Sequence, residues 1–209
     1  MPDQFPIQKA TSDKFLSAKP DKKFSIQKIA GEFQRTGKIS LWSQGILGVI
    51  AIVLVFSYAL FGNPETTPGA TVLTPGVNPV GPGPGSGVGL IFAIGGVLVL
   101  SITTFWAFRY MRFGKQLQAD DPEARPTRAE AMQLLNQGLI GNLLGMLLSI
   151  VGSQAIAGSL FLKAMQQQGA FVNLVKAIDM MGVQASTNAI TAHFIGLVAS
   201  LWLLNRVSR

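Results

Sequence analysis

The chain has 209 residues, 48% of them hydrophobic and only 13% charged, against roughly 25% charged in soluble globular domains. Its net charge of +7 would direct a soluble chain towards nucleic acid, but eight of the seventeen Lys and Arg precede residue 40. Basic flanks that orient membrane helices account for that segregation without a nucleic-acid partner. With no cysteine and one histidine, His193, disulfides, thiolate chemistry and multi-histidine metal sites are excluded.

Taken in order, residues 1–38 form a basic segment expected on the cytoplasmic side. No apolar core follows the start closely enough for a secretory signal, and Asp3, Asp13, Asp21 and Glu32 argue against a plastid transit peptide. The expectation is an unprocessed, bacterial chain. Within this segment Ile26, Ile29, Ala30 and Phe33 recur at helical spacing. They predict an amphipathic helix that either lies on the anionic membrane surface or caps the bundle.

A helix needs about 20 mostly apolar residues to cross the hydrocarbon. Four stretches qualify: 39–61, 88–108, 138–162 and 188–205. The fold expected is an all-α integral membrane protein, a bundle of four transmembrane helices with short interfacial helices. Between the first two spans, the external loop 62–87 is rich in proline and glycine, including Gly81-Pro-Gly-Pro-Gly-Ser-Gly87, and reads as a linker. The loop 109–137 holds Arg109, Arg112, Lys115, Arg125 and Arg128. In it, Thr127-x-x-Glu130 has the spacing of a capping box. The external stretch 163–187 has an apolar face of Phe171, Leu174, Val175 and Ile178, with Gly182 able to end a short helix. A tail, 206–209, completes the chain. Excess Lys and Arg mark cytoplasmic segments, which places both termini and the loop 109–137 inside. Trp42, Trp106 and Trp202 then fall at the cytoplasmic ends of their helices.

Two helices carry the patterns that bear on function. On the third span Gly138, Gly141, Gly145, Ser149, Gly152 and Ser159 share one face, a surface for close helix approach or a narrow pathway lined by backbone. On the fourth, Ala185, Ala192, Gly196 and Ala199 form a similar stripe, with Asn188 on the same side. His193 lies at its edge. An ionisable side chain at membrane depth is a functional candidate; a neutral imidazole bonded to Asn142, Ser153 or Gln154 is the structural alternative. The candidate polar path is Asn142, Ser153, Gln154, Asn188, Thr191 and His193. No span carries Asp or Glu in its middle, and the chain has no phosphate-binding loop, His-Glu-x-x-His or plausible triad. An enzyme is therefore not expected, nor a resident cofactor.

Several motifs occur in an order that resembles a family shared by cyanobacteria and plastids. They are Phe33-Gln-Arg35, Trp42-Ser-Gln44, Phe105-Trp-Ala-Phe-Arg-Tyr110, Pro126-Thr-Arg-Ala129, Asn142-Leu-Leu-Gly-Met146, Gly152-Ser-Gln-Ala155, Val183-Gln-Ala-Ser186 and His193-Phe-Ile-Gly-Leu197. Its plant members are known as the twenty-one-kilodalton subunit of the inner-envelope protein translocon, or as the chloroplast permease. The resemblance implies a homologue in a cyanobacterial plasma or thylakoid membrane. It implies either iron transport, with iron as substrate, or a scaffold or assembly role in protein translocation or photosynthetic complexes. The partners expected are the lipid bilayer and either further copies of the chain or a larger membrane complex.

Overall fold

The computed structural model describes residues 7–61, 86–119, 125–166 and 177–208. Four helices account for nearly all of them: α1 (Ile7–Phe61), α2 (Ser86–Gln116), α3 (Arg128–Gln166) and α4 (Ala177–Ser208). The loop residues 62–85 and the apolar positions Phe171, Leu174 and Val175 lie outside the described residues.

Four helical segments are long enough, and apolar enough over part of their length, to cross a membrane: Ile26–Phe61, Gly87–Gln116, Arg128–Leu162 and Met180–Ser208. These stretches have 36, 30, 35 and 29 residues. At 1.5 Å rise per residue, 29 to 36 residues extend about 44–54 Å, well beyond a hydrocarbon core of about 30 Å. The helices therefore outrun the bilayer. Large apolar side chains face outwards along them, among them Val53, Phe56, Leu98, Ile140, Leu147 and Phe194. In lipid that surface is solvated, and helices satisfy every backbone group internally.

The helices form a ring in which α1 packs on α2, α2 on α3, α3 on α4 and α4 on α1. Neighbours are antiparallel. Gly37 lies beside Met111 and Gly48 beside Leu100; Gly89 faces Ile156 and Gly138 faces Tyr110; Gly145 faces His193; Gly182 faces Tyr58. Of the two diagonals, α2–α4 is the closer. Small residues explain the tight approach. A Cβ on Gly152 would lie 2.8 Å from the Ala93 nitrogen, closer than a real Cβ tolerates.

Two apolar clusters fill the interior. One joins Ala51, Val55, Leu100, Ile156, Leu160, Ala189 and Ala192. The other joins Phe33, Tyr110, Phe113, Leu134, Leu135, Leu203 and Val207 at the end where both α1 and α4 carry their charged flanks. There Arg206 of α4 pairs with Glu32 of α1. The start of α3 has the expected capping box: Thr127 N–H donates to Glu130 Oε2 at 2.7 Å, and Glu130 N–H donates to Thr127 Oγ1 at 3.3 Å.

Three local expectations change. Ile26–Phe33 is no separate surface helix but part of α1, without a break before the first span. Ala30 and Phe33 are wholly buried, because the second cluster needs an apolar side from α1 that far out. Much of the expected loop 109–137 is helix as well. α2 runs to Gln116 and α3 starts at Arg128, since Tyr110, Phe113, Leu134 and Leu135 bury one side while Arg109, Arg112 and Lys115 remain exposed. Gly182 does not end a helix; it sits within α4, where its missing side chain makes room for the Tyr58 ring.

Candidate functional site

Between the two apolar clusters lies a layer of polar side chains drawn from all four helices. On α1, Ser40 and Gln44 are one turn apart and both buried; Gln44 Nε2 donates to Ser40 Oγ at 3.0 Å. Thr104 of α2 has one hydroxyl proton, shared between the Leu100 carbonyl at 2.8 Å and the more distant Gln44 Oε1 at 3.4 Å. On α3, Asn142 Nδ2 donates to the Gly138 carbonyl at 2.8 Å, which orients its amide. Its Oδ1 then faces His193 Nδ1 of α4 at 3.3 Å. The other ring nitrogen, Nε2, lies 3.2 Å from the Gly96 carbonyl of α2.

Glycine makes this layer continuous. The space above Gly196 is occupied by Gln44 Nε2 from one side and by the Asn142 amide from the other. Gly145 leaves the space that the His193 imidazole fills. Toward the charged end, Tyr110 and Ser200 hydroxyls are 3.0 Å apart, with Ser200 donating to Gly196 O at 2.9 Å and Gly138 vacating the space beside the phenol.

His193 is completely buried, and both ring nitrogens face oxygen acceptors. A neutral imidazole carries one N–H. It donates to Asn142 or to Gly96 and leaves the second contact without a hydrogen. Ser149, also wholly buried, has a hydroxyl with no partner beside Gly96. The layer thus has spare hydrogen-bonding capacity at one corner, where α2, α3 and α4 meet.

Of the six residues expected to line a polar path, only Asn142 and His193 meet in the interior. Ser153 is half-buried and Gln154 is exposed on the outer side of α3. Asn188 is half-buried, within 3.4 Å of Gln184 on its own helix. Thr191 is exposed and returns its hydroxyl to the Thr187 carbonyl at 2.9 Å. Such a bond within one helix suffices for a hydroxyl facing lipid.

The glycine face is used along its length. Gly138 meets Tyr110, Gly141 meets Trp106 and Thr103, Gly145 meets His193, Ser149 meets Gly96, and Gly152 meets Gly89 and Ala93. Buried Ser159 donates to its own helix at Ile156 O. Gln44, Ser40 and Thr104 were absent from the expected path. The signal for them was an amide within the apolar run 39–61, one turn beyond a serine.

Among the described residues no group of three His, Cys, Asp or Glu is placed to hold a metal. What the fold and the layer define is a four-helix membrane bundle whose centre is polar, internally bonded and closed by glycine-mediated contacts. The chain belongs to the family described as Protein of unknown function (DUF3611), which matches residues 23–208. It is also similar to Protein TIC 21, chloroplastic, of Arabidopsis thaliana, with 32% identity over 194 residues. That match covers 88% of this chain and 59% of the relative, so the chain spans about three fifths of the relative's length. No solved structure matches it. The resemblance carried by the motifs is thereby shown as kinship.

Proposed function

We propose that this chain is a structural subunit of a transport-related membrane assembly, not a conduit by itself. One observation carries the reading: His193, Asn142, Gln44, Ser40 and Thr104 bond to one another or to backbone, and among the described residues of the layer only the Ser149 hydroxyl is left open. Kinship with a family whose resemblance implies either iron transport or a scaffold role in protein translocation is consistent with this reading. By the distribution of Lys and Arg, the end holding Glu32 and Arg206 faces the cytoplasm; the membrane is the plasma or thylakoid membrane of a cyanobacterium. Bulky residues at Gly141 or Gly145 would test folding, since both glycines face inwards. Partner contact is better sought at Gly45 and Gly158, whose Cβ directions meet only open space. A photo-crosslinker at each position in native membranes should capture a partner other than this chain. Capture of nothing but itself from both positions overturns the reading.

A second reading, an iron permease, is favoured by the polar layer itself, which puts hydrogen-bonding groups from four helices at one depth. Its test is uptake of ferrous and ferric iron by proteoliposomes containing only the purified chain, against protein-free vesicles and a His193→Leu, Asn142→Leu variant. Uptake that the variant loses would make the layer the pathway. No uptake of either oxidation state leaves the assembly subunit.

A further inference from the structure

α1 and α2 approach each other closely near the charged end. A Cβ on Gly37 would lie 3.0 Å from the Met111 nitrogen, and one on Gly114 2.9 Å from the Ala30 carbonyl. On the outer side of this crossing is a groove of about 820 Å³, lined by Gly31, Gln34, Arg35, Lys38, Phe108, Met111, Arg112 and Lys115. Two cations come from each helix, and among the described residues no acid lines it. Among the described residues none of the four has an acidic partner; the ion pair at this end joins Arg206 to Glu32.

Gln34, which also lines the groove, is a second unfinished feature: its Nε2 is buried without an acceptor. A buried donor without a partner is costly, and beside four cations that have no acidic partner among the described residues, an anionic acceptor would satisfy both. The neighbouring groove between α2 and α3 differs. Arg109 and Arg125 there share the wall with Glu130, and Arg125 Nε already donates to the Ala119 carbonyl at 2.8 Å.

Depth selects the source of the anion. Lys38 is followed at once by the apolar surface of the first span, and Trp42 and Phe105 are 66% and 60% exposed. Phe108 and Met111 give the groove an apolar wall continuous with that surface. A soluble anion makes no use of it, whereas a lipid places its headgroup among the cations and its chains along the aromatic side chains. We propose that this groove binds the oxyanion headgroup of an acidic membrane lipid, with Arg35, Lys38, Arg112 and Lys115 around the charge and Gln34 Nε2–H donating to it.

Native mass spectrometry of the detergent-solubilised chain, titrated with phosphatidylglycerol or phosphatidylcholine, tests this directly. One phosphatidylglycerol should be retained in preference to phosphatidylcholine. An Arg35→Gln, Arg112→Gln variant should bind it about thirtyfold more weakly, the factor set by two cations near an anionic surface. Gln34→Leu, which changes no charge, should lose about tenfold, as expected for one hydrogen bond to a charged group; it carries the test if the double variant does not fold. A Lys28→Gln, Arg109→Gln variant removes as much charge from the same end and should lose less than threefold. Equal losses in the two charge variants would mean general surface attraction and overturn the site. So would equal retention of the two lipids, or unchanged binding by Gln34→Leu. Competition by glycerol phosphate at concentrations matching the lipid would reassign the groove to a soluble anion and overturn the lipid proposal.

Discussion

Replacing Gly145 with alanine places a methyl group where the His193 imidazole sits. The ring cannot withdraw freely, because Nδ1 is against Asn142 Oδ1 at 3.3 Å and Nε2 is against Gly96 O at 3.2 Å. Three contributions set the effect. Alanine in a helix interior is favoured over glycine by about 0.5–1 kcal/mol. Overpacking costs about 1–3 kcal/mol, and an interhelical hydrogen bond lost in a membrane protein about 0.6 kcal/mol. Gly145→Ala should therefore destabilise the bundle by about 2 kcal/mol. In a His193→Ala background the ring is gone, only the helix preference remains, and the same substitution should be neutral or slightly stabilising. Equilibrium unfolding in mixed micelles, followed by helical circular dichroism, gives the four stabilities of this double-mutant cycle, with an expected coupling of about 2.5–3 kcal/mol. Gly158→Ala, where the new methyl meets nothing within 4 Å, is the control and should not destabilise. Additive effects of Gly145→Ala and His193→Ala would refute the placement of the ring against α3.

A parallel pair tests the next layer. Gly138→Ala collides with the Tyr110 hydroxyl and should cost about 1–3 kcal/mol, most of it recovered by adding Tyr110→Phe; an unrelieved loss would argue against that contact. Thr191→Val and Gln154→Leu, both at exposed positions, should each shift stability by less than about 0.5 kcal/mol, measured in the same unfolding assay. Glu32→Gln removes the carboxylate that pairs with Arg206 at partly exposed positions, where such pairs contribute about 1 kcal/mol or less. Its effect should shrink in high salt, and a salt-independent loss would indicate a packing role instead.

The spans were legible because membrane insertion depends on the hydropathy of each helix alone, and runs such as Ile46–Phe56 state it without reference to neighbours. The glycine face of α3 was legible for a related reason. Where lipid and interior are equally apolar, small residues, not hydrophobic ones, distinguish the packed side. The polar path was less so. Gln154 and Thr191 have the right chemistry and depth, yet both face outwards, and periodicity on one helix does not reveal which polar side chain meets another helix. His193 and Asn142 are brought together by the registers of α3 and α4, which depend on Gly145 admitting the ring. Gln44 was hidden differently: it is an isolated amide in an apolar run, and Thr104, which it meets across helices, is distant in sequence. The outward length of α1 is not legible in its own pattern, since Phe33 gains its burial from α2, α3 and α4.

The polar layer constrains both functional readings through one cost. A polar group exposed to hydrocarbon must find a partner, and here the partners are internal, so the layer holds the four helices in one register. The spare Ser149 hydroxyl beside Gly96 is the place where an altered pairing would begin. For an ion to cross at this depth, the His193 contacts to Asn142 and Gly96 must open and the displaced groups must bind the ion in exchange. In a conducting bundle the stability lost on substituting His193 or Asn142 would thus accompany a change in uptake, because the same bonds close the path and hold the register. In an assembly subunit the same substitutions would lower stability alone and leave partner capture at the outer glycines Gly45 and Gly158 intact in whatever fraction folds. Measuring stability, uptake and crosslinking on His193→Leu separates the two readings, since a purely structural layer predicts change in only the first of the three once folded fraction is taken into account.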